Sequence, residues 1–261
     1  MDDGAPRRPF GAFVIPKDFV TEPGLLDGRV ILITGAAGGL GRALSLACAS
    51  AGASVILAGR SLTKLERVYD EIEALGAPRP AVAELDLASA TAVEYDALAG
   101  VIEREFGKLD GLVHTAALLG DRTPMEQYDV PTWCKVLHVN LTAPFILTQV
   151  LLPVLRKSAD ASVIFVSSGV VKKPRPFWGA YAVSKAGLES LRAMWSEELE
   201  GEANIRMNSV SPGRMRTPMR AAAYPAENPN TVPLPQAVSG VFLYLLSKHG
   251  RAIDGEFVEA Q

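Results

Sequence analysis

Arg29-Val30-Ile31-Leu32-Ile33-Thr34-Gly35-Ala36-Ala37-Gly38-Gly39-Leu40-Gly41 is the stretch whose reading decides the fold. Its first six residues form a short apolar, β-branched run, which reads as a strand buried on both faces. The glycines that follow permit a tight turn and let a diphosphate approach the backbone closely. Leu40 to Ala51 then reads as a helix, whose free N–H groups and positive dipole end would face that phosphate. A glycine pattern alone is a weak signal; the strand before it and the helix after it give it meaning.

Working outward, the same rhythm repeats. Further strands are expected at 54–59, 81–85, 110–115, 162–167, 204–210 and 255–260. Helices are expected at 62–75, 90–106, 131–157, 181–200 and 235–248, the first of these with Leu62, Leu65, Val68 and Ile72 on one face. Pro144 and Pro153 fall inside the long stretch 131–157. Strands alternating with helices imply parallel strands joined by crossovers, and right-handed crossovers lead to a doubly wound sheet. The expected class is α/β: a single-domain, Rossmann-type doubly wound parallel sheet of about seven strands with helices on both faces. Residues 1–27, rich in Pro, Gly and charge, read as a loose arm, and 28–261 as one catalytic domain.

The 261 residues are 48% hydrophobic and 21% charged, a globular balance that supports a sizeable core. The net charge of −3 leaves no basic stripe for nucleic acid, and Lys172, Lys173 and Arg175 read as a solvated loop. Cys48 and Cys134 read as buried free thiols. No apolar signal core opens the chain, and no apolar run approaches the ~20 residues of a membrane span, so the expectation is a soluble cytoplasmic protein with no membrane partner.

Three further features carry chemistry. The second strand ends in Ala58-Gly59-Arg60-Ser61, with no carboxylate for ribose hydroxyls; Arg60 instead suits a 2′-phosphate. Tyr181 and Lys185 stand at i, i+4 on one helix face. A lysine cation beside a tyrosine favours the phenolate, and such a group exchanges a proton with a carbonyl or alcohol oxygen near neutral pH. Ser168 ends the fifth strand, and Asn140 lies in the long helical stretch; the paired hydroxyls of Ser168 and Tyr181 suit a developing alkoxide.

Together, the T-G-x-x-x-G-x-G spacing at Thr34, Gly35, Gly39 and Gly41, the set Asn140, Ser168, Tyr181 and Lys185, and Pro212-Gly213 with Thr217 resemble the short-chain dehydrogenase/reductase family. The likeness runs from about Asp27 onward. Leu119-Gly120-Asp121, Trp178-Gly179-Ala180-Tyr181 and Thr217-Pro218-Met219-Arg220 are similar to its bacterial YciK-like branch. The resemblance implies an oxidoreductase that moves a hydride between NADP(H), in preference to NAD(H), and a small carbonyl or alcohol substrate. It implies Tyr181 as general acid/base, Lys185 on the nicotinamide ribose, Ser168 on the substrate oxygen, and Asn140 as keeper of a water linking Lys185 to solvent. Cofactor contacts are implied at Thr34, Gly35, Gly38, Gly39, Leu40, Gly41, Arg60, Asp86, Leu87, Thr115, Ala116, Asn140, Tyr181, Lys185, Pro212, Gly213 and Thr217. Asp86 would meet the adenine amine. A homodimer or homotetramer through the helices at 131–157 and 181–200 is implied as well.

The chain departs from the family pattern in two places. His114-Thr115-Ala116-Ala117 stands where the family has Asn-Asn-Ala-Gly or similar, which puts cofactor affinity in question. Histidines 114, 138 and 249 show no metal-ligand spacing. The segment Pro218 to Pro233 is short and carries Pro225, Pro229 and Pro233, so it reads as a loop over an open site. Phe177, Trp178 and Tyr224 either line an apolar pocket or belong to core or interface. A non-enzymatic NADP(H)-binding sensor on the same fold is the alternative. The epimerase or dehydratase branch, with T-G-x-x-G-x-x-G and a longer C-terminal domain, fits less well.

Overall fold

A computed structural model describes residues 12–16, 19–202 and 204–261. In chain order the main elements are β1 (Ala12–Phe13), β2 (Val30–Thr34), α1 (Gly39–Ser50), β3 (Ser54–Gly59), α2 (Leu62–Ala74), β4 (Ala81–Glu84), α3 (Ala92–Phe106) and β5 (Gly111–His114). There follow α4 (Val130–Leu137), α5 (Ala143–Leu155), β6 (Ala161–Val166), α6 (Gly179–Glu198), β7 (Ile205–Ser211), α7 (Pro218–Ala223), α8 (Ser239–Leu246) and β8 (Phe257–Glu259). All seven expected strands are present within two residues of their expected ends.

The strands form one parallel sheet in the order β1-β8-β7-β6-β5-β2-β3-β4. Alternate residues of each central strand enter opposite layers, as the two-residue strand period requires. Ile31 and Ile33 pack with Leu44, Cys48 and Phe242 on one face. Val30 and Leu32 pack with Ile102, Leu147 and Leu188 on the other. Both faces are therefore covered, which is why these strands read as unbroken apolar runs.

Local signals set the helix ends. Thr91 and Glu94 form a capping box before α3, and Gly107 ends that helix at φ 72°. Asp129 accepts from the Thr132 N–H at 2.8 Å to start α4. A π-turn at His138–Thr142 joins α4 to α5. At the sheet's N-terminal edge, Asp110 accepts from the Val30 N–H and the Ser158 hydroxyl, while Asp160 pairs with Arg29 and Arg206. The connection from β2 leaves toward β3, whereas β5 lies on the opposite side of β2. That reversal opens a crevice beyond the strands' C-terminal ends, the place such sheets offer a ligand.

Several expectations are revised here. Part of the stretch read as a loose arm joins the fold. Ala12–Phe13 adds to the edge of β8, Phe19 stands edge-on to Tyr244 at 5.0 Å, and Leu26 is fully buried. An open strand edge and exposed apolar rings are costly to leave in water, and the arm covers both. Residues 1–11 lie outside the described residues. Cys48 is buried as expected, but Cys134 is exposed on α4. The continuous helical run Val130–Leu155 spans 26 residues and holds an 18-residue window with a mean hydropathy of 1.4, so it does have the length and composition of a membrane span. Half of that window is buried within the fold, the character of a core helix. Pro218–Ala223 is helical, where a loop was expected: Thr217 caps it through the Arg220 N–H at 3.1 Å, and Pro218 suits its first turn.

Candidate active site

The crevice is one continuous cavity of about 530 Å³, running from Arg60 and Asp86 at one end to Trp178 and Tyr224 at the other. Every sequence-predicted site residue lines it except Asn140, which lies behind its wall.

The phosphate end is built from backbone. No side chain caps the N-terminus of α1, so its first-turn N–H groups have no protein acceptor within the helix. A Cβ at Gly41 would stand 2.2 Å from the Gly35 carbonyl oxygen and 2.8 Å from the Thr115 hydroxyl. A Cβ at Gly39 would stand 2.7 Å from Thr217. The glycines thus keep open a cradle that any side chain would fill. Thr115 donates to the Thr34 carbonyl at 2.5 Å, and the Ala116 N–H donates to the Thr34 hydroxyl at 3.3 Å. The departure at 115–117 therefore still ties the end of β5 to the end of β2. Gln261 bonds both the N–H and the carbonyl of Arg214, steadying the turn at Pro212-Gly213.

At the chemical end, α6 carries Tyr181 and Lys185, both buried. Burial raises the Tyr181 phenol above its ordinary value, and a hydrogen bond with Ser168 opposes that rise. The Lys185 ammonium donates to the Val166 carbonyl at 2.7 Å and stands 5.8 Å from the Tyr181 ring centre. Burial lowers it to about 8, against a pull upward from Glu189 one helical turn on. The expected lowering of Tyr181 by Lys185 is therefore reversed. Desolvation is the largest cause and outweighs the Ser168 hydrogen bond, while the Lys185 ammonium is bonded to a strand carbonyl, and the phenol stays protonated at neutral pH.

Asn140 is fully buried and its amide is fully engaged as a donor. It donates to the Leu118 carbonyl and the Ser184 hydroxyl, and its oxygen accepts from the Leu118 N–H. Ser184 in turn donates to the Tyr181 carbonyl. Asn140 thus fastens the loop after β5 to α6. His114, stacked on Phe165 and bonded to Thr148, is lowered to about 3 by burial and by Lys185, so it is a neutral core residue.

The far wall was not foreseen as a unit. Trp178 and Tyr224 line the cavity, whereas Phe177 is half exposed and does not. Leu119, Met219 and Ala223 complete an apolar patch around Trp178 and Tyr181. Ser61, Lys64 and Lys135 also line the cavity and escaped the sequence reading. Lys64, four residues after Arg60 at the start of α2, carried a usable i, i+4 signal; Lys135 carried none.

A family model described as short chain dehydrogenase matches residues 29–228. The chain is 39% identical over 237 residues to the oxidoreductase YciK of Escherichia coli K12, covering 91% of this chain and 93% of that protein. It superposes with a TM-score of 0.92, at 47% identity, on a protein from Pseudomonas syringae assigned to the short chain dehydrogenases, covering 96% of this chain and 100% of that one. A short chain dehydrogenase from Shigella flexneri, complexed with NADP, superposes with a TM-score of 0.89 at 38% identity, covering 92% and 100% of the two chains.

Proposed function

This chain belongs to the short chain dehydrogenases and is an oxidoreductase of that family, and from this premise we propose that it transfers a hydride between NADP(H) and a carbonyl or alcohol substrate, with Tyr181 as general acid/base. The observation that carries the reading is the single cavity joining Arg60, the uncapped start of α1 and the Ser168–Tyr181 pair. Residues 28–261 act as one catalytic unit in this reading.

The residues fit the cofactor. The open N-terminus of α1 and the glycine cradle suit a diphosphate. Arg60 makes no ion pair among the described residues and stands beside Ser61 and Lys64, a set that suits a 2′-phosphate. The NADP in the Shigella flexneri relative is in keeping with this. When bound, NADPH supplies the hydride.

In the direction of reduction, the protonated phenol of Tyr181 gives its proton to the carbonyl oxygen, which Ser168 also binds. Lys185, a cation below about pH 8, stabilises the charge left on Tyr181. With both Asn140 amide hydrogens engaged, a relay water is held by its main-chain carbonyl. That carbonyl lacks its ordinary helical donor, because Pro144 stands four residues on. The sensor reading loses its main support, since Thr115 keeps the cofactor wall intact. Phe145, Val183 and Met194 expose apolar surface on α5 and α6, which supports a homo-oligomer through that face. A monomer by light scattering at micromolar concentration would refute the oligomer.

Nicotinamide fluorescence titrations with NADPH and NADH, followed by a carbonyl screen on wild type and Tyr181→Phe, test the whole reading. NADPH should bind more tightly, and the variant should bind it but not turn over. Preference for NADH overturns the role of Arg60; full activity in Tyr181→Phe overturns the mechanism.

A further inference from the structure

At the cavity wall above Tyr181, two rings and two cations cluster from three separate segments; Trp178, Tyr224 and Arg220 line the cavity and Arg122 backs them. Trp178, only 8% exposed, lies 5.6 Å from the Tyr181 ring and 6.0 Å from the Tyr224 ring. The Arg122 guanidinium sits 4.3 Å from the Trp178 ring centre and 5.4 Å from that of Tyr224. Its Nη1 donates to the Ala223 carbonyl at 2.7 Å. Arg220 stands 3.7 Å from the Tyr224 ring and pairs through two nitrogens with Glu227, each bond 2.7 Å.

The backbone also turns Trp178 inward. Phe177 has φ 69° and Gly179 φ 31°, and a Cβ at Gly179 would stand 2.3 Å from the Tyr128 ring. The Tyr128 hydroxyl accepts from the Asp121 N–H, fixing the loop that carries Arg122. A non-glycine residue in the left-handed region persists only where its surroundings over-determine it, and such positions cluster at functional sites.

We propose that Arg122 is a positioning residue of the substrate end: it sets Trp178 and Tyr224, their rings inclined 51° to each other, as an apolar ceiling over Tyr181, which selects carbonyl compounds bearing an apolar, uncharged group beside the carbonyl. The substrate class rests on the reductase reading above; the ceiling does not. Neither cation offers its charge to the cavity: Arg220 pairs with Glu227, and Arg122, exposed and set against the Trp178 ring, does not line it. Leu119, Met219 and Ala223 add only apolar surface. A charged substituent placed there loses its water without gaining a partner.

Calorimetric titration of the holoenzyme, loaded with NADP⁺ so that no turnover occurs, tests this with 1-phenyl-1-propanone and pyruvate as probes. The phenyl ketone should bind at least tenfold more tightly than pyruvate. Arg122→Ala should weaken it at least tenfold, and Arg122→Lys should restore part of the loss. Hydrogen exchange of residues 218–227 should accelerate in Arg122→Ala, with exchange in β2 and β5 unchanged. Absence of phenyl-ketone binding, equal binding of pyruvate, unchanged affinity in Arg122→Ala, or accelerated exchange throughout the sheet overturns the proposal. Loss of the catalytic reading through an active Tyr181→Phe would leave these binding results intact, so the two failures are distinguishable.

Discussion

The two ends of the cavity are built in opposite ways. The phosphate end is backbone: strand ends, glycines and a bare helix terminus, with Thr115 and Thr34 linking β5 to β2. The substrate end is side chain: Trp178, Arg122, Tyr224 and Arg220 meet from three segments, held by ring faces and one carboxylate. A backbone cradle suits a diphosphate through main-chain groups that any sequence supplies, and its close contacts tolerate little change. A side-chain stack is set by a few residues and is free to differ between relatives. Between the two ends stand Tyr181, Ser168 and Lys185, the groups proposed to handle the proton, which belong to neither wall.

That contrast can be broken by experiment, beginning with the centre. Tyr181→Phe should lower turnover by about 10³-fold, within the range for losing a general acid, while the NADPH Kd stays within a few-fold. A comparable loss of NADPH binding would show the phenol to be part of the cradle. Arg60→Ala should weaken NADPH by roughly 10- to 100-fold, the worth of a charge-assisted contact, and leave NADH unchanged; equal losses would remove the 2′-phosphate role. Gly41→Ala should destabilise the fold by about 1–3 kcal/mol, the cost of overpacking, and impair NADPH binding, because its Cβ would meet the Gly35 oxygen at 2.2 Å. Thermal melting and the same titration check it, and an unchanged melt would mean the loop yields more easily than its geometry indicates.

The pH dependence sharpens the middle ground. Lys185 is held at about 8, so its cation is present below that pH and lost above it. The kcat/KM for reduction should be flat between pH 6 and 7.5 and fall about tenfold per unit well above pH 8. His114, lowered to about 3, stays neutral across that range and adds no break. A break near pH 6 would point to another group. The smallest effect belongs to Phe177, half exposed and outside the cavity lining. Phe177→Gly relieves a left-handed φ but frees the unfolded chain, so stability should change by no more than about 1 kcal/mol in a chemical-denaturation series.

The same division explains what was legible in the sequence. Apolar runs such as Val30–Thr34 and Ala161–Val166 are buried on both faces and could be read directly as parallel strands. The glycine loop and the Tyr181–Lys185 spacing are local patterns, so they too were legible. The direction of the Tyr181 shift was not, because it depends on how deeply the fold buries the phenol. Asn140 was identified by position, but its commitment to Leu118 and Ser184 is a tertiary fact. Helix α7 was misread because its three nearby prolines outweighed the Thr217–Pro218 start signal. The Arg122 cluster was invisible, since its members lie up to about a hundred residues apart and share no periodicity.

The pairing of β1 with β8 joins Ala12 to Phe257, nearly the full length of the chain, through only two residues of strand. Contacts between distant parts of a chain carry the largest loop-closure entropy and are slow to form. This pair offers few hydrogen bonds in return. β1 should therefore be the last strand to dock in folding and the first to fray, its amides exchanging with solvent well below the free energy of global unfolding.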